Sequence, residues 1–84
     1  MATVNVTIKN FKFSPNPAPV KTGDSVVWQN KDTTNHTATA EDSSFDTGQI
    51  PPGTDSSPVE FDTAGDVPYK CTNHSNMKGT VKVS

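Results

Sequence analysis

The chain contains no leucine. Valine is its commonest apolar residue and sits in short alternating runs, threonine is abundant beside it, and seven prolines are spread along the 84 residues. Helices have little to be built from, because β-branched side chains lose rotamer freedom against the preceding turn and proline removes a donor and clashes. The same residues suit a half-buried pleated surface. An all-β fold is therefore expected before any motif is read.

The alternation locates the strands. Val4, Val6 and Ile8 share one face between Thr3 and Lys9, and Phe11 and Phe13 are expected to continue that pattern until Pro15, Pro17 and Pro19 interrupt pairing. Thr22-Gly23-Asp24 reads as a turn before a more buried strand, Ser25–Asn30, which carries the sole tryptophan, Trp28. His36–Ala40 is a short alternating segment, Phe45 and Ile50 anchor a loop-rich stretch, and Pro58–Asp62 is another brief strand. Val67–Cys71 places Tyr69 and Cys71 on one face, and Gly79–Val83 closes the chain. Some seven or eight short strands with turns between them predict a Greek-key β-sandwich of two sheets, a single domain over residues 1–84.

Size and charge narrow the function. A chain of this length removes only about 60–65% of its surface from water on folding, which leaves a thin core and little room for an enclosed substrate cavity. There is no arginine, and seven lysines against nine carboxylates leave a net charge of −2, so no basic face for nucleic acid is expected. No apolar run approaches the roughly 20 residues of a membrane-spanning helix.

The residues able to carry chemistry are few and close together. One cysteine cannot form an internal disulfide, so Cys71 is a buried apolar residue, a reactive thiol or a metal ligand. Cys71-Thr72-Asn73-His74-Ser75-Asn76-Met77 sets a thiolate, an imidazole and a thioether at spacings of three and three. Thiolate and thioether are soft donors suited to copper, Cu(I) in particular, and imidazole serves both oxidation states. The other histidine is His36, so the only cysteine, both histidines and the only methionine besides Met1 can be assembled as one site. With both histidines used in this way, no Ser/His/Asp triad is expected.

The chain resembles the cupredoxins, the type 1 blue copper proteins that include plastocyanin, pseudoazurin and amicyanin. The resemblance rests on Phe13-Ser14-Pro15, on Val20 through Asn30, on His36-Thr37, on the Cys71–Met77 segment and on Met77-Lys78-Gly79, in the family's order. The three-and-three spacing is most similar to amicyanin. The resemblance implies a trigonal copper set of His36, Cys71 and His74 with Met77 as the weak axial ligand, and one copper ion cycling between Cu(I) and Cu(II). It implies an electron carrier and no enzyme, with His74 as the exposed electron portal and His36 the more buried ligand. It implies transient complexes with a redox donor and acceptor, a monomer, and a periplasmic or otherwise extracytoplasmic location from which a leader has been removed. The alternative is a copper storage or delivery protein without a redox partner.

Some positions depart from the family pattern. Thr37 stands where relatives have Asn or Ser tying the two ligand loops together, and its hydroxyl is expected to do the same. Asn73 stands where many have proline, and its backbone N–H is expected to donate to the Cys71 sulfur. Asn73, Ser75 and Asn76 make the ligand loop more polar than the family's apolar docking collar. Glu41-Asp42 lies where plastocyanin begins an acidic patch, and two carboxylates are read here as an ordinary solvated turn.

Overall fold

The alternating runs form strands in the computed structural model, which describes residues 2–84 and leaves the side chain of Ser75 outside that description. Eight strands follow in chain order: β1 (Thr3–Lys9), β2 (Lys12–Ser14), β3 (Ala18–Val20), β4 (Asp24–Asn30), β5 (Thr39–Ala40), β6 (Val59–Phe61), β7 (Gly65–Cys71) and β8 (His74–Val83). They build two four-stranded sheets, β2-β1-β4-β6 and β3-β8-β7-β5. The β1–β4 and β3–β8 pairings are parallel and the rest antiparallel. No helix occurs among the described residues. The proline-rich stretch carries the chain from β2 at the edge of one sheet to β3 at the edge of the other, where Pro19 can be accommodated without a full ladder.

Strict alternation in β4 points Asp24, Val26, Trp28 and Asn30 inward. Val6 and Ile8 of the first sheet and Tyr69, Cys71, Val81 and Val83 of the second close on them. Trp28 stacks on Phe45 with ring centroids 5.3 Å apart and meets Tyr69 edge-on at the same separation, and Phe13 meets Tyr69 at 4.7 Å. In so thin a core, truncating such an aromatic side chain costs about 3–5 kcal/mol, comparable to the whole stability of a small domain. The Trp28 Nε1 and the Tyr69 hydroxyl are buried with no hydrogen-bond partner among the described residues. Burial pushes the Tyr69 phenol up to about 12, with the Trp28 indole opposing it.

Three boundaries differ from the sequence reading. Phe11 does not continue β1 into the core: Lys9 pairs with Lys12 across a two-residue turn, Asn10 and Phe11 both have positive φ (53° and 59°), and Phe11 is 52% exposed. That turn conformation fits the right-handed twist of a tight hairpin, which overrode the alternation. In the His36–Ala40 segment only Thr39 and Ala40 join the ladder, while His36 forms a separate bridge with Ile50. The last strand begins at His74, earlier than Gly79, because the ligand segment is itself the β7–β8 hairpin.

Candidate metal centre

Two strand ends and one pinned loop bring the site residues together. Cys71 and His74 are a cross-strand pair flanking the Thr72-Asn73 turn, yet Lys70 pairs with Lys78, so residues 75–77 have no partners on β7. This bulge interrupts the ladder between His74 and Met77. Met77 is buried, at 3% exposure, within the core cluster. His36 arrives from the other loop, held to Ile50 by two backbone hydrogen bonds of 3.2 and 2.7 Å. The buried Asn30 amide fixes that loop, donating to the Thr34 and Ile50 carbonyls at 2.8 and 2.7 Å and accepting from the Asp32 amide at 2.9 Å.

The Cys71 sulfur lies 3.7 Å from Nδ1 of His36 and 3.7 Å from Nδ1 of His74, and one donor atom from each residue lies within 4.8 Å of the others. A nitrogen and a sulfur bound to one ion at about 2.0–2.1 and 2.3 Å with a trigonal angle stand roughly 3.7–3.8 Å apart. The spacing therefore suits one shared ion. His36 and Cys71 are fully buried and His74 is half-buried. Beside His74 an open polar depression of about 420 Å³ is lined by Thr33, Thr34, Asn35, Pro52 and Asn73.

A hydrogen-bonded frame holds these donors. Asp32 Oδ2 lies 2.9 Å from His36 Nε2, which makes Nε2 the protonated nitrogen and leaves the Nδ1 lone pair facing Cys71. The same carboxylate accepts the backbone N–H groups of Asn10 and Phe11 at 2.6 and 3.0 Å. Desolvation pushes the Asp32 carboxyl up, and the amides of Phe11 and Asn10 together with His36 more than offset it, leaving it below the usual carboxylate value. On the other side Thr37 does tie the two loops: its hydroxyl oxygen accepts the Thr72 amide at 2.8 Å and pairs with the Thr72 hydroxyl at 3.1 Å.

The expected Asn73 amide bond to sulfur is replaced. Among the described residues the backbone donor to Cys71 Sγ is the Thr37 amide, at 3.4 Å. The Asn73 side chain instead bridges loops, donating to the Asn35 carbonyl at 3.1 Å and to Gln49 Oε1 at 2.8 Å, while Gln49 Nε2 donates back at 3.1 Å. Sequence reasoning missed Asp32, although its position four residues before His36 was a usable signal. It also missed Phe11, whose ring meets His74 and His36 edge-on at 4.9 and 5.4 Å.

Fold and site together define a small copper-binding β-sandwich: one thiol and two imidazoles are brought together, and the buried Met77, three residues after His74 in sequence, adds a thioether to a mixed soft and borderline donor set that suits a single type 1 copper ion. Residues 1–83 match the family profile of the cupredoxin-like domain, and the chain belongs to that family. Among solved structures it is similar to an oxidised Met-to-Leu variant of amicyanin (24% identity, 96% of this chain and 81% of the other, TM-score 0.87). It is also similar to a purple cupredoxin from Nitrosopumilus maritimus (23% identity, 96% and 99% covered, TM-score 0.89). A reduced Cu(I) form of a Pro-to-Gly variant of amicyanin matches at 26% identity, with 98% and 82% covered and a TM-score of 0.87. No curated protein sequence matches.

Proposed function

We propose that the protein is a one-electron carrier in which His36, Cys71, His74 and Met77 would hold one copper ion. The observation that carries this reading is the placement of the Cys71 sulfur 3.7 Å from two imidazole nitrogens inside a frame of hydrogen bonds. When bound, copper supplies a single electron gained or given up between Cu(I) and Cu(II). The chain's part is to keep its donors still: Asp32 fixes the His36 ring, Thr37 locks the ligand loop to the His36 loop, and the sandwich holds Cys71 rigidly. A site held between the preferences of the two oxidation states reorganises little when one electron moves.

His74 is the electron portal, being the half-buried ligand and the one that borders the open depression. The carrier works as a monomer in transient complexes with a redox donor and acceptor, in an extracytoplasmic compartment, and performs no catalysis of its own. Voltammetry of the copper-loaded protein tests this reading. A reversible one-electron wave is expected, whereas tight Cu(I) retention with no reversible wave would favour storage or delivery.

A further inference from the structure

The hairpin tip beside the two histidines exposes a large apolar side chain on a positive-φ backbone. Phe11 has a positive φ of 59°, where a glycine would sit without strain, yet it is a phenylalanine and 52% exposed, the exposed large hydrophobic residue among those described. Its N–H is held by Asp32 at 3.0 Å, and its ring is set edge-on against both histidines. The flanking pair, Lys9 and Lys12, are directly opposite each other, an arrangement in which like charges repel.

Lys31 extends the same row. Its amide bonds to the Ile8 carbonyl at 2.8 Å, one position past the Ile8–Asn30 register, so three exposed lysines stand side by side across β2, β1 and the end of β4. Among the described residues no lysine lies in an ion pair. The nearby Asp32 carboxylate is occupied by Asn10, Phe11 and His36, and the exposed Asp55, bridged to Gln29, leaves the row unneutralised. This basic row sits on a chain whose carboxylates outnumber its lysines.

We infer that the β1–β2 hairpin is the docking knob of this carrier: Phe11 inserts into an apolar spot on a partner redox protein whose surrounding rim is acidic and pairs with Lys9, Lys12 and Lys31. The inference rests on the carrier reading above and adds the chemistry of the partner. A protein is the occupant because the row is short and the net charge is −2, which suits a compact acidic patch and disfavours an extended polyanion. Docking there puts the partner against the one ring that touches both histidines.

The test compares the copper(I)-loaded wild type with the Lys9→Glu/Lys12→Glu/Lys31→Glu variant, using two aromatic-faced oxidants of opposite charge. These are the anionic tris(bathophenanthrolinedisulfonate) and the cationic tris(phenanthroline) complexes of cobalt(III). At low salt the variant should be oxidised at least about tenfold more slowly by the anionic complex and no more slowly by the cationic one, and the difference should vanish in about 0.5 M salt. Wild-type rates for the variant with both complexes would overturn the docking surface. If the charge-reversed chain does not fold, the Lys→Gln triple variant should show the same contrast at smaller amplitude.

Failure of the wild type to reduce either complex would instead overturn the carrier reading. In that case, ¹⁵N NMR of the copper(I)-loaded protein with a glutamate-rich peptide carrying a central phenylalanine decides the surface separately. Shifts centred on Asn10, Phe11 and Lys31 that disappear in the variant support it. Shifts elsewhere, none at all, or equal binding to phosphatidylserine vesicles overturn it.

Discussion

The Asp32 carboxylate is 2.9 Å from the Nε2 of the fully buried His36, and its oxygens also receive two amides of the β1–β2 hairpin. One side chain therefore sets the tautomer of a candidate ligand and anchors the loop that lies over the site. The arrangement connects a local sequence spacing of four residues to a contact between segments more than 20 residues apart.

Replacing Asp32 should uncouple these parts. Asp32→Ala leaves two amides and an imidazole N–H without their acceptor. Hydrogen bonds to a charged group contribute about 1.5–3 kcal/mol each, so thermal stability falls. Loss of an outer partner to a ligating histidine typically lowers metal affinity about 10–100-fold. Competition against a copper chelator measures the second effect, and Asp32→Asn should recover part of it.

Thr37 makes a sharper case, because its hydroxyl can be removed at nearly constant volume. Thr37→Val leaves the Thr72 amide without its 2.8 Å acceptor and should cost about 1–3 kcal/mol in urea unfolding. Thr37→Ser should restore most of it. The slackened ligand loop should also broaden the copper EPR signal relative to both hydroxyl-bearing forms.

Close packing rather than backbone freedom requires Gly79. A Cβ there would stand 2.6 Å from both Cζ and the hydroxyl oxygen of Tyr69. That ring cannot retreat, being packed edge-on against Phe13 and Trp28. Gly79→Ala should therefore destabilise by about 1–3 kcal/mol, the usual range for overpacking, with a perturbed near-UV circular dichroism spectrum.

Asp24 governs part of the acid response away from the metal. Backbone N–H groups of Ala2 and Lys21 bond its carboxylate at 2.8 and 3.2 Å and hold its pKa below the usual value. A carboxyl depressed in the folded state contributes stability above its unfolded pKa of about 3.9, and that contribution is lost as pH falls through the folded value. Asp24→Asn should melt lower than wild type at neutral pH, with the gap closing below about pH 4.

The sandwich was legible in the sequence because alternation and buried faces depend on neighbours two residues apart. Val6, Ile8, Trp28, Tyr69 and Val81 all lie in the core as their patterns predict. The soft-donor residues were legible because they are so scarce, and the structure brings His36, Cys71 and His74 within one ion's reach. What could not be read locally was decided by geometry between segments. Phe11 looks like a core residue until a two-residue turn redirects it, and Asp32 looks like an ordinary loop carboxylate until the hairpin closes on it. The donor to the cysteine sulfur is Thr37 for the same reason: it is 34 residues away in sequence and adjacent in space.

The most direct test of the copper site is the optical and EPR spectrum after stoichiometric Cu(II) is added to wild type and to Cys71→Ser. The wild type should develop an intense visible thiolate-to-copper charge-transfer band with a narrow copper hyperfine splitting, and the variant should show neither while keeping its β-sheet circular dichroism. A wild type that binds Cu(II) without the band, or a Cys71→Ser protein that retains it, would contradict a site built on the Cys71 sulfur between His36 and His74.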